Sequence, residues 1–330
     1  MKITKPIIVV ILLIGIGIAA FLVVKSRHNA QPSQPDQSRQ GVEPAPKTTG
    51  PAIPSDSRAK TESARTRQPP ESQPPPPLTR NQKILKEIEE LNSSDAVRVI
   101  VGLTGTPKDY DSRQKAMRKL SMNLPTNDVK ALTLFLDSVS DEEKSAKPIV
   151  FNALKNDVLD ILLRQNQISD GLGTKLTGMF RDGKHDDIWR DYSIQYFVSY
   201  YDAKWAVTDT STNNPERADI QTAYWEATQA KDKTFAGTAL LAMERLSRAR
   251  PEFDRTKIGE RVAELAMDDT VAEPNRITSL RLAGMMNRTE ALPSARTLAQ
   301  TGATDLIRMA ATATLGDIGD KSDVELLESL

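Results

Sequence analysis

The chain has 330 residues, with Lys+Arg and Asp+Glu equal at 44 each and a formal net charge of zero. That balance argues against a nucleic-acid binder held by phosphate neutralisation, which needs a surplus of basic side chains. The absence of cysteine excludes thiolate catalysis, disulfides and Cys-based zinc sites together.

Residues 1–6 form a short tail carrying Lys2 and Lys5. Ile7 to Val24 follows, eighteen residues that are all apolar or glycine, without charge or proline. At ~1.5 Å per residue this gives roughly 27 Å of helix, close to one hydrocarbon core. A core helix normally keeps one polar face and this segment has none, so it reads as a transmembrane helix. It exceeds the roughly 7–15 apolar residues of a cleaved signal peptide, and no good small-x-small cleavage site accompanies it. An uncleaved signal anchor is therefore expected. Lys25, Arg27 and His28 make the second flank basic too. The short, doubly basic tail favours a cytoplasmic N-terminus and an extracytoplasmic bulk, on the periplasmic side if the source is bacterial.

Residues 25–78 read as a disordered linker. Its main part, Gln31 to Leu78, holds 12 of the 20 prolines and no aromatic residue. Such a composition cannot bury enough apolar surface to offset its conformational entropy. Its end, Pro69 to Pro77, favours polyproline II. The linker would reach roughly 150 Å extended, or about 40 Å as a flexible coil. Its charges are mixed, which disfavours a polybasic lipid-binding patch.

Residues 79–330 carry helical periodicity. Ile84, Leu85, Ile88 and Leu91 share one helix face. Helical stretches then alternate with breaks at Pro107, Pro125, Pro148, Gly171, Gly183, Pro215, Pro251, Pro274, Pro293 and Gly302. The one strand candidate, Val97 to Val101, fits a helix equally well. An all-α domain of paired helices is expected. The pairs are Asp111–Met122 with Asn127–Val139, Phe151–Arg164 with Thr174–Arg181, Asp187–Asp202 with Glu216–Ala230, Phe235–Ser247 with Lys257–Met267, and Arg276–Met286 with Glu290–Gln300.

The last unit is the most distinctive. Arg308 leads a helix with Ala310, Ala311 and Ala313 inside. Leu315-Gly316-Asp317-Ile318-Gly319-Asp320 follows, then a second amphipathic stretch with Val324, Leu326 and Leu327. Close helix approach would use the alanines. Gly316 and Gly319 would permit a left-handed helix end, and Asp320 could cap the next helix. A shift of 32 residues aligns Arg276 with Arg308 and Gly284 with Gly316, and Arg190 is again an early arginine. These features resemble HEAT-like repeats of the PBS-lyase type. The resemblance covers about Asp111 to Leu330 and implies a right-handed helical-hairpin solenoid that binds proteins on a curved surface. Nothing in the residues supports pigment-attachment chemistry.

Seven aromatics lie between Trp189 and Trp205, among 3 Trp, 6 Tyr and 7 Phe in the whole chain. Trp189, Tyr192, Tyr196 and Tyr200 share one helical stripe, and Phe197, Tyr201 and Trp205 a second. Two stripes suit a helix buried on both sides. The alternative is a partner surface, extended by Tyr224 and Trp225. His185 lies in the loop Arg181 to Asp187, where Asp186 or Asp187 reads as a helix cap rather than a metal ligand. The pairs Lys86/Glu90 and Arg261/Glu264 read as solvated helix faces. Neither a Ser-His-Asp order, a phosphate loop nor a dinucleotide fingerprint occurs, and no catalytic residue, cofactor or metal is assigned.

The reading that fits best is a membrane-tethered, non-enzymatic scaffold whose solenoid binds an unknown protein. Two others stand beside it. One is an α/α-toroid-type enzyme acting on a glycan or other polymer, with acidic and aromatic residues converging on one cleft. The other is an envelope-spanning link in which the linker does the work. Leu326, Leu327 and Leu330 close to the chain end suggest a homo-oligomer through the last helices.

Overall fold

Thr79 accepts a hydrogen bond from the Gln82 amide while the Gln82 side chain accepts one from the Thr79 amide, a capping box that starts α1 at Arg80. The computed structural model describes residues 76–140, 147–207 and 214–330. Among them are fourteen α-helices and no strand. They are α1 Arg80–Glu89, α2 Asp95–Val101, α3 Tyr110–Met117, α4 Thr126–Leu136, α5 Pro148–Leu163, α6 Leu172–Arg181 and α7 Asp187–Lys204. The second half has α8 Pro215–Ala227, α9 Phe235–Ser247, α10 Arg255–Met267, α11 Glu273–Met285, α12 Leu292–Thr301, α13 Asp305–Ile318 and α14 Asp323–Ser329. A 3-10 turn, Thr289–Ala291, precedes α12. No described helix is long and apolar enough to cross a membrane. The anchor expected over residues 7–24, and the linker up to residue 75, lie outside the described residues.

The local sequence explains the boundaries. Asp109, Asp186, Asn214, Asp254 and Thr304 each accept an amide hydrogen bond in the first turn of the helix they start. Pro148, Pro215, Pro274 and Pro293 sit in the first helical turn, where a missing N–H costs nothing, so four of the expected breaks are helix starts. Val97 to Val101 is helix α2, and its Val97, Ile100 and Val101 are buried.

The helices pack with their sequence neighbours. The helices α3, α5, α7, α9, α11 and α13 form one row in which each packs on the next. The helices α2, α4, α6, α8, α10 and α12 flank it, each against the row helix that follows. The principal contacts join helices no more than three apart in the chain, and one apolar core runs through residues 84–315. Of the expected pairs, α7/α8 and α9/α10 do pack together, while α3/α4, α5/α6 and α11/α12 are not principal partners; the closer packing is offset by one helix, as α4 meets α5, α6 meets α7, α10 meets α11 and α12 meets α13.

Polar pins join the steps of the row. Thr238 Oγ1 donates to Asp191 Oδ1 at 2.9 Å, the Gly237 amide to Asn275 Oδ1 at 2.9 Å, and Thr314 Oγ1 to the Leu280 carbonyl at 2.8 Å. The early arginines do a second job. Arg190 Nε donates to the Phe180 carbonyl at 2.8 Å, Arg276 Nε to the Ala266 carbonyl at 3.2 Å, and Arg308 Nη1 to the Gly302 carbonyl at 2.6 Å. Each arginine is the fourth residue of its helix and caps the end of the helix before it.

Two expectations for the last unit are corrected. Gly316 lies inside α13, and Gly319 is extended at φ −64°, not left-handed. Glycine is needed at 319 for room, because a Cβ would run into the Leu315 carbonyl oxygen and lie 2.9 Å from Asp323 Oδ2. Asp320 is not the cap residue of α14. Its carboxylate accepts from the Ser322 amide at 2.8 Å and so seats the turn before that helix. Ala310, Ala311 and Leu315 are buried, Ala313 is half-buried, and Ile318 is half-buried at the end of α13.

Candidate functional site

The proposed aromatic surface divides between core and exterior. Trp189, Tyr200 and Tyr224 are fully buried and cannot contact a partner in this fold. The reason is geometric: α7 packs on α5, α6, α8 and α9, so both of its aromatic stripes turn inward. Tyr224 stacks edge-on against Phe197 and Phe253, and its hydroxyl has no partner. Tyr200 donates to Glu216 Oε2 at 2.8 Å and Tyr196 to Asp160 Oδ1 at 2.7 Å, tying α7 to α8 and to α5. Tyr192, Tyr196 and Trp225 are half-buried.

Trp189 instead covers a buried amine. Lys155 Nζ lies 4.0 Å from its ring centroid and donates to the Ser138 carbonyl at 2.7 Å. Lys155 is 1% exposed. Burial holds its ammonium well below the ordinary lysine range, against the opposing pull of Asp186 and Asp137. His185 is buried alongside, and neither ring nitrogen has a hydrogen-bond partner. Burial, with the charges of Lys155 and Arg80, pushes its pKa down to about 3. Asp186 caps α7 through the Trp189 amide and also accepts from Asn152 Nδ2 at 2.8 Å and Ser140 Oγ at 2.9 Å. Outside this cluster lies a cleft of about 750 Å³ lined by Arg80, Lys83, Glu87, Asp137 and Lys184 among others. Arg80 bridges Asp137 and Asp182 there, and Lys175 Nζ meets Asp137 at 2.8 Å. Buried titratable groups with displaced pKa values mark a candidate site, and a buried ion network produces the same signature.

A second buried network closes the end of α7. Arg217 Nε donates to the Tyr201 hydroxyl at 2.7 Å and its guanidinium pairs with Glu252. Arg250 stacks 4.8 Å from the Tyr201 ring and donates to the Trp205 carbonyl at 2.8 Å. All these charges are compensated, which is the pattern of a structural pin.

Trp225 is different. It faces a groove of about 410 Å³ between α8 and α10, lined with Lys257, Glu260, Arg261 and Glu264. Arg261 is buried, contrary to the expected solvated pair with Glu264: Nη2 donates to the Thr228 carbonyl at 2.7 Å and Nη1 pairs with Glu264 at 2.5 Å. Its bond to the Thr228 carbonyl at the end of α8 holds it inward.

The periodicity of α5 marks Lys155 in advance, since it falls in line with Phe151, Leu154, Val158, Leu159 and Leu162. No such signal marks His185, because its burial depends on α1 and α5 closing over the loop. Among described residues no cluster of His, Asp or Glu could hold a metal ion. No family model, no curated protein and no solved structure matches this chain. The likeness to HEAT-like repeats therefore rests on the residues quoted above.

Proposed function

We propose that this protein is a membrane-tethered scaffold without enzymatic activity, whose helical domain is a solenoid of HEAT-like character that binds another protein. The observation that carries this reading is the neighbour-by-neighbour packing of α3 to α13. Stacking of that kind yields an extended surface, since each unit buries its apolar face only against the next. A toroid-type enzyme would need its last helices to meet its first, and its aromatics to converge on a cleft. Here the principal contacts run between near neighbours, and the α7 aromatics fill the core.

The apolar run at residues 7–24 supplies the proposed anchor, with the N-terminus cytoplasmic and the helical domain joined to it through the Pro-rich linker. Exposed Leu306, Met309, Val324 and Leu330 on and beside α13 and α14 support self-association at that end as a secondary feature.

Cross-linking of the full chain in its native membrane, followed by affinity purification and mass spectrometry, tests the proposal. A stoichiometric protein partner linked to lysines of the helical domain is expected. Full chain recovered with no partner above background overturns it.

A further inference from the structure

The longest stretches of the described domain without Asp or Glu are residues 112–127, 274–289 and 291–304. Their basic side chains differ in what they do. In the second, Arg276 holds the Ala266 carbonyl, Arg281 meets Asp317 at 3.2 Å and Arg288 meets Glu290 at 2.8 Å. In the third, Arg296 pairs with Asp323 at 2.6 Å. In the first, Arg113 is buried, but Lys115, Arg118 and Lys119 are all exposed. None of these three has a carboxylate within ion-pair distance among the described residues. The nearest acids in sequence, Asp109 and Asp111, stand at the opposite end of α3, where Asp109 is the N-cap.

Lys115, Arg118 and Lys119 follow one another at the spacing of a single helix face. A basic residue in the last turn complements the unpaired carbonyls of a helix, and Lys115 fills that position in α3. Arg118 and Lys119, beyond it, have no such task. Met122 comes next and is 52% exposed. The turn that carries it is pinned to the end of α5. The Met122 carbonyl accepts from the Asn166 amide at 3.3 Å, the Leu124 amide donates to Gln165 Oε1 at 2.8 Å, and Asn166 Nδ2 donates to Asn123 Oδ1 at 2.7 Å. Arg164 on α5 pairs with Asp160 and adds no free charge. The result is a fixed surface of one sign, three uncommitted cations beside an exposed thioether, on a chain whose net charge is zero.

We infer that this surface at the end of α3 receives an acidic segment of the protein partner, with Asp or Glu side chains on Lys115, Arg118 and Lys119 and an apolar side chain on Met122. The inference rests on the scaffold reading for the source of that segment and names the chemistry of one binding face. Surfaces of one sign steer an oppositely charged partner and fix its register. A lipid surface is disfavoured, because basic lipid-binding clusters carry about 4–8 Lys or Arg. Tracking a nucleic-acid backbone takes still more phosphate contacts.

The test uses the full chain in nanodiscs of phosphatidylcholine and a fluorescein-labelled peptide, Glu-Glu-Leu-Glu-Glu-Leu-Glu-Glu, followed by anisotropy. Saturable binding that weakens as salt is raised is expected. Lys115→Gln/Arg118→Gln/Lys119→Gln should lower the affinity about fivefold or more. The exposed lysines of other helices supply the control: Lys86→Gln/Lys257→Gln/Lys321→Gln removes the same charge and should leave binding in place. Circular dichroism and Tm establish that both variants are folded. Absence of peptide binding, an equal loss in the control variant, or tighter binding to vesicles containing phosphatidylglycerol than to the peptide would each overturn the inference. Partner capture separates the two levels. A partner recovered equally by wild type and the Lys115/Arg118/Lys119 variant sinks the α3 surface and leaves the scaffold standing. No partner for either sinks the scaffold, while the peptide titration still decides the surface.

Discussion

Lys155 and His185 are the side chains whose burial works against folding, and both leave a signature in pH. His185 titrates near 6.5 when the chain is unfolded and at about 3 in the folded protein. Below pH 6.5 the unfolded chain takes up a proton that the folded one does not. Stability from this residue is therefore intact above pH 6.5 and falls by about 1.4 kcal/mol per pH unit on the way down to 3. Urea unfolding at pH 7 and pH 4.5 should show the loss in wild type and a reduced one in His185→Leu. Lys155 behaves in the same sense at the alkaline end. Its folded pKa lies well below 10.5, so stability withheld at neutral pH returns as pH rises toward 10.5. Wild type should gain on Lys155→Met between pH 8 and pH 10; a constant difference would show that the amine is not the titrating group. Gly102 has another kind of constraint. It ends α2 at φ 76°, and an added Cβ would meet the Arg113 guanidinium. Gly102→Ala should cost about 1–2 kcal/mol in the same assay.

At the scale of elements, the repeat signature turns out to be a joining device. Arg190, Arg276 and Arg308 resemble the arginines of HEAT-like first helices, and each reaches back across the loop to an orphan carbonyl of the preceding helix. Ser294 Oγ donates to the same Ala266 carbonyl at 2.9 Å, so Arg276 joins α10, α11 and α12 at one point. Replacing Arg276 with alanine leaves partly buried acceptors short of a donor and should cost about 1.5–3 kcal/mol. Hydrogen exchange should then accelerate at the end of α10 and the start of α11. Unchanged protection there would show the contact to be incidental. Helix starts were legible because caps and first-turn prolines act locally, as at Thr79, Asp186 and Pro215. The offset pairing was not, because amphipathic helices of similar length carry no label saying whether they fold back on the helix before or the helix after.

At the scale of the molecule, stability built from neighbouring contacts should fail in pieces. Leu280 is fully buried in α11, the helix that packs on α9, α10 and α13. Leu280→Ala should cost about 2–5 kcal/mol. It should open α10 to α14 to exchange while α3 to α7 keep their protection. Uniform acceleration from α1 to α14 would contradict a neighbour-coupled stack and favour one cooperative core.

By itself the sequence determined the helical class, the positions of most helices and the expectation of an anchor ahead of a Pro-rich linker. These follow from periodicity, capping and composition, which are properties of a dozen or so consecutive residues. Only the tertiary structure decided which aromatics face inward, since both stripes of α7 are aromatic and their fate depends on how α5, α6, α8 and α9 pack around that helix. It also decided that Arg261 and His185 are buried, that Gly319 is there for room and not for its backbone freedom, and that Trp225 is left beside a groove. Burial is a property of what packs against a residue, and the chain does not write that next to the residue itself.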